Sequence, residues 1–169
     1  MNNTAFVTIL RFVALVILQV VIFSNINFLG YLNPYIYLLF IILFPFDKDN
    51  RILFIFSAFL LGLAIDMFSD SGGVHAAACV FVAYFRPLMM RSVFGVSYDY
   101  HNIKIEKTYF GQRINYLIIL ILTHHFVLFS LEIFSFAHIL LILKKTLFSA
   151  IFTLIMCLIF ISLFSRKST

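Results

Sequence analysis

The sequence predicts an all-α integral membrane protein, a bundle of about six transmembrane helices, and three observations lead there. Hydrophobic residues make up 63% of the 169 and charged ones only 11%, more apolar surface than a soluble globule of this size can hide. The apolar residues gather into segments near the roughly 20-residue length that crosses a bilayer. The connections between segments alternate in charge, basic in every second one and nearly free of basic residues in the others, as positive-inside topology requires. Residues 1–169 are therefore expected to form a single transmembrane domain, with no room for an enzymatic head in water.

The first span is expected at about 5–28. Its early Arg11 resembles the start of a secretory leader, but no A-x-A site follows and further apolar segments come at once, so it reads as a retained helix. "SNINFLGYLNP" supplies the Asn, Gly and Pro of a turn. The second span, about 31–46, is short and ends at Pro45 before the charged stretch 47–51. The third, about 52–68, leads into "SDSGG", where Ser71 is a candidate N-cap for the fourth, about 74–90. Pro87 is expected to kink or end that helix. A polar connection, 91–113, precedes the fifth span at 114–134. Lys144 and Lys145 then interrupt the last apolar run, which places the sixth span at 146–164 and residues 138–145 along the interface.

Arg11, the Lys48/Arg51 loop, the 91–113 loop with Lys104, Lys107 and Arg113, and the Arg166/Lys167 tail all fall on one side of this six-span arrangement. The positive-inside rule makes that side cytoplasmic, with both termini on it. Lys144 and Lys145 stand against the pattern, and a salt bridge from Glu132 across the short turn would accommodate them. Five spans with a re-entrant second segment would put 91–113 outside, against the same rule.

The net charge of +5 is dispersed between apolar segments instead of gathered on one face, which points to topology and not to nucleic acid. Cys79 and Cys157 lie in apolar runs without CxxC or Cys/His spacing, so neither a disulfide frame nor a zinc site is expected. The sequence holds no GxSxG, Walker or HExxH motif. No catalytic residue, metal or cofactor is predicted.

The polar residues inside the spans carry the remaining information. Asp66 and His75 sit nine positions apart on either side of a turn, and an ionisable side chain at membrane depth is functional by default. Two readings stand: a hydrated interfacial Asp66 that caps the turn, or an Asp66–His75 pair that orders the hairpin and favours a protonated imidazole. Gln19 reads as a hydrogen bond between helices. His124 and His125 are adjacent, point about 100° apart on a helix, and cannot both face one ligand. Tyr84, Arg86 and Arg91 mark the inner end of the fourth span, either as an anchor in anionic lipid or as a docking surface.

Gly62-x-x-x-Asp66-x-x-Ser69, Gly73-x-His75 and Tyr84-x-Arg86 together resemble the signature of MreD, the family of rod shape-determining membrane proteins of bacteria. The motif covers about 25 residues; chain length, the hydrophobic segments and the basic tail agree with it. The resemblance implies a bundle similar to the substrate-binding components of energy-coupling-factor transporters. It also implies a non-enzymatic scaffold of the cell-elongation machinery in the cytoplasmic membrane. Its main partner would be MreC, with MreB, RodA and a class B penicillin-binding transpeptidase as further members, membrane lipids around it and no nucleic acid. Gly62, Asp66, Ser69, Gly73, His75, Tyr84 and Arg86 become the structural or partner-binding candidates, with Glu132 beside them. The short second segment and the long charged 91–113 loop depart from the family's pattern. The bundle equally permits a vitamin-type binding subunit with an outward cavity lined by Asp66, His75 and Glu132, although a shared fold is weak support for a ligand.

Overall fold

The structure, a computed structural model, describes residues 3–26, 33–45, 50–95, 105 and 108–165. Among these the chain forms six α-helices and no strand: α1 (Asn3–Val21), α2 (Leu38–Leu43), α3 (Arg51–Ser69), α4 (Val74–Phe94), α5 (Phe110–Ile133) and α6 (Ile139–Ser165). Single 3₁₀ turns follow α1 at Phe23–Asn25 and precede α6 at Phe136–His138. Every helix but α2 is long and apolar enough to cross a membrane. Phe6, Ile9, Leu10, Ile17 and Val21 of α1 and Leu147, Ile151 and Ile155 of α6 are exposed, a surface that only lipid or another membrane helix can solvate. The molecule is a multi-pass helical membrane protein. Consecutive long helices α3 to α6 pack pairwise, and α1 lies against α3.

The expected second span is where the fold departs most from the sequence reading. The described part of the expected span 31–46, residues 33–45, is no membrane-spanning helix: it contains only the six-residue α2, about 9 Å of helix. The segment lies inside the bundle: Ile36 to Ile42 are 0–2% exposed. Contacts along it run in one direction. Pro34 and Ile36 meet Gln19 near the end of α1, Tyr37 meets His75 at the start of α4, and Ile42 and Phe44 meet Arg86 further along α4. Leu43 meets Arg11 on the first half of α1. The segment therefore runs antiparallel to α1 and in the direction of α4, so it passes from the 66–75 turn toward the end where α3 begins. Irregular backbone at membrane depth is tolerated when protein surrounds it and satisfies its polar groups, which explains why a sixth long helix is not needed there.

Three further boundaries differ. The fourth span was expected at 74–90, but α4 continues through Pro87 to Phe94. Proline removes one N–H, and the following Leu, Met, Met and Arg favour helix, with Met89 and Met90 packed in the core. The fifth begins at Phe110 instead of residue 114, so the expected 91–113 connection shrinks to residues 95–109, most of which lie outside the described residues. The expected interfacial stretch 138–145 is mostly the first turns of α6. Lysine is a good helix former, and the Lys145 ammonium finds Glu132 at 2.8 Å, so neither lysine has to end the helix.

Candidate functional site

Asp66 closes the α3–α4 hairpin. Asp70, Gly72 and Gly73 have φ of 53°, 67° and 94°, and this left-handed run reverses the chain within four residues. The two glycines adopt it without a Cβ penalty. The reversal points the first free N–H groups of α4 back at α3. Asp66 Oδ1 accepts from His75 N at 3.0 Å and Oδ2 from Ala76 N at 2.8 Å, while the Ser71 hydroxyl donates to Oδ1. Ser71 is thus not the N-cap; Gly73 occupies that position with no side chain, and the capping carboxylate comes from the neighbouring helix. A negative charge there also complements the positive end of the α4 dipole.

Gly62 lets the two helices approach. A Cβ at this position would stand 2.4 Å from Ala76 Cα and 2.6 Å from His75 O, closer than real atoms come. One turn after Gly62, Asp66 is thereby brought within reach of the α4 amides.

His75 does not pair with Asp66 through its ring. Nδ1 lies 2.8 Å from the Tyr37 hydroxyl, which is also 3.2 Å from His124 Nε2. His125 Nε2 lies 3.1 Å from Thr153 Oγ1 of α6, which accepts from Tyr35 N at 3.0 Å. The adjacent histidines thus serve different helices, and both meet the buried segment. Tyr35 packs its ring against those of His75, His125 and Phe129. Gln19 acts on the same segment: Nε2 donates to Pro34 O at 3.2 Å and Oε1 accepts from Ile36 N at 2.8 Å. That is a clamp on backbone, and not the helix-to-helix bond expected.

Arg86 is the other correction. It is 1% exposed, so it does not anchor in lipid headgroups. Nε donates to Tyr116 Oη at 2.8 Å, one terminal nitrogen donates to Ile42 O and Phe44 O at 3.0 and 3.1 Å, and the guanidinium sits over the Phe54 ring at 5.1 Å. It receives the carbonyls at the end of α2, which a helix this short leaves unpaired. Tyr84 is exposed, with Arg51 5.0 Å from its ring centroid, and Ser69 is exposed at the end of α3. Glu132 holds Lys145 across the connection between α5 and α6.

Gly62, Asp66, Gly73 and His75 are therefore brought together, while Tyr84 and Arg86 lie further along α4; Ser69 ends α3 beside the turn, and Glu132 is bonded to Lys145. Sequence reasoning missed Tyr35, Tyr37, Tyr116 and Thr153. Two tyrosines between Pro34 and Pro45 were the available signal. Among the described residues no group of three or more His, Cys, Asp or Glu side chains is placed to hold a metal ion.

Fold and site together define a helical membrane protein whose buried polar side chains bind its own backbone and one another. No family model, curated protein or solved structure matches the chain.

Proposed function

We propose that this protein is a non-enzymatic membrane scaffold of the MreD type, seated in the bacterial cytoplasmic membrane with both termini cytoplasmic. On this reading it binds MreC, and through that complex supports MreB, RodA and a class B penicillin-binding transpeptidase in lateral wall synthesis. The observation that carries it is the filled interior. The interior of the bundle, up to His75 where the alternative reading would put a ligand cavity, is filled by residues 33–45. The three residues that would line such a cavity are engaged: Asp66 with the α4 amides, His75 with Tyr37 and Glu132 with Lys145. A filled bundle with long apolar outer faces is suited to holding partner helices, whose association in lipid rests on packing and a few polar contacts.

The test is co-purification of the tagged chain from detergent-solubilised native membranes, with identification of what accompanies it. MreC is expected. Recovery of transporter ATPases, or of a tightly held small molecule without protein partners, would replace the scaffold with the binding-subunit reading. Orientation is checked separately: a cysteine introduced by Asn102→Cys should resist an impermeant thiol reagent in intact cells, and labelling there would overturn the cytoplasmic placement.

A further inference from the structure

The contacts of Tyr37 lead to an inference that does not depend on the scaffold reading. A phenol has one O–H, so Tyr37 donates to one of its two imidazole partners and accepts from the other. His124 decides which. Its second ring nitrogen, Nδ1, is buried without a partner. If His124 accepted the phenol proton at Nε2, Nδ1 would carry a buried N–H with no acceptor. If instead Nε2–H donates to Tyr37, Nδ1 is only an unused lone pair, the less costly orphan. The chain of donors therefore runs from His124 to Tyr37 to His75 Nδ1, and His75 carries its own proton on Nε2.

His75 is also the end of that chain nearest the surface. It is 7% exposed at the first turn of α4, whereas His124 and His125 are 0% exposed. In the other direction the array stops. Between the Tyr37/His124 level and the Arg86/Tyr116 level lie Val82 and Ala83 on α4, Leu117 and Leu120 on α5, and Phe40 and Ile41 in the central segment, all buried and apolar. Among the described residues, then, the array opens only toward the 66–75 turn and meets apolar side chains in the other direction.

We propose that His75 is a proton-binding site addressed from the turn side, whose loading weakens the hold of the α4 and α5 histidines on residues 33–45. One proton is taken up, at His75 Nδ1, and only N–H and O–H bonds change. The imidazolium then donates where it had accepted. Either the Tyr37 hydroxyl turns away from both rings, or it donates to His124, whose proton must then sit on Nδ1. Both outcomes leave one buried donor without an acceptor. The charged and titratable groups facing this site are Asp66 from α3, Cys79 one turn further along α4, Tyr35 and Tyr37 from the central segment, and His124, His125 and Glu132 from α5. Lys145 of α6 is bound to Glu132. Two carboxylates thus share the His75 end, and the His124 end has none of its own.

An orphaned buried donor shifts a local opening equilibrium by between about tenfold and about a hundredfold. The experiment uses the full chain in lipid nanodiscs with ¹⁵N-labelled histidine, at about pH 7.5 and about pH 5.5, a range that spans ordinary imidazole titration. Ring ¹⁵N shifts should show neutral His124 protonated at Nε2 under both conditions and His75 becoming cationic on acidification. Hydrogen exchange within 33–45, corrected for its intrinsic pH dependence, should rise by about ten- to a hundredfold. His75→Gln should abolish that rise, and Tyr37→Phe should show fast exchange at both pH values. In oriented liposomes, acid on the turn side alone should load His75, and acid on the opposite side alone should not. Unchanged exchange in 33–45, a response that survives His75→Gln, loading from either side equally, or His124 charging before His75 each overturn the proposal. Should a variant not fold, the wild-type chain still decides, because exchange within 33–45, the sidedness of loading and the order of protonation are all read on it.

Discussion

Removing the Asp66 carboxylate tests the central structural argument, that one side chain on α3 sets the start of α4. In Asp66→Ala the N–H groups of His75 and Ala76 lose acceptors at 3.0 and 2.8 Å. An unsatisfied buried donor costs roughly 1–3 kcal/mol, and the exposed Gly72 beside this turn gives water partial access, so the expected loss is about 2–4 kcal/mol in total. Asp66→Asn keeps one carbonyl oxygen and replaces the other with an amide that cannot accept, so it should cost about half as much. For a chain of this length each kcal/mol moves the midpoint by about 2–4 °C, which gives a drop of about 5–15 °C for the alanine variant. Cys79 and Cys157 supply the assay, since both are free and buried: a thiol-reactive dye in a thermal ramp reports their exposure on unfolding. An alanine variant within about 1 °C of wild type, or an asparagine variant as destabilised as the alanine one, would refute the two-acceptor account.

Gly62→Ala should lower the same midpoint by an amount equivalent to about 1–3 kcal/mol, the usual cost of overpacking, because its Cβ meets α4 backbone at 2.4–2.6 Å; Gly62→Val should be worse. Arg86→Lys keeps a charge but cannot supply the fork that reaches Tyr116, Ile42 and Phe44 together; a loss of about 2–4 kcal/mol is expected from hydrogen bonds to a charged group, measured in the same ramp. Gln19→Leu should cost about 1–3 kcal/mol by orphaning Ile36 N–H and Pro34 O, and hydrogen exchange should rise first at Ile36. Glu132→Gln should change the midpoint little, because its bond to Lys145 lies at a surface where ion pairs contribute about 0–1 kcal/mol.

The long helices were legible because lipid imposes a simple rule on sequence: a run of apolar residues near the bilayer thickness satisfies its own backbone. The Asp66 turn was legible for a related reason, since a carboxylate, two glycines and a histidine within an apolar stretch need an explanation. The form of that explanation was not readable. Hydropathy reports that Asp66 is polar and near His75, but whether its oxygens face a ring or the backbone depends on the left-handed turn at Asp70, Gly72 and Gly73. Residues 31–46 misled for a different reason. A segment buried inside a bundle and one facing lipid are equally apolar, so composition cannot separate them, and only the length together with Pro34 and Pro45 hinted that no full helix fits. Arg86 misled through its position, since an arginine near a span's end reads as an anchor unless the carbonyls it caps are known.

These corrections share one cause, which bears on what the molecule can do. A segment that is not helical from end to end leaves backbone donors and acceptors at membrane depth, where each unsatisfied group is costly. Gln19, Thr153 and Arg86 meet those groups directly at Pro34, Tyr35, Ile36, Ile42 and Phe44, and His75 and His124 hold the Tyr37 side chain between them. The polar residues of the spans are therefore committed chiefly to seating one internal segment, and they are drawn from four helices: Gln19 from α1, His75 and Arg86 from α4, His124 from α5 and Thr153 from α6. Displacing any one of these helices by an ångström breaks a bond to the segment, so the segment couples the relative positions of all four. If the proposed protonation of His75 occurs, a partner helix pressed against α1 or α6 should change the affinity of His75 for its proton, and protonation should in turn change the affinity for that helix, as reciprocal coupling between two sites requires.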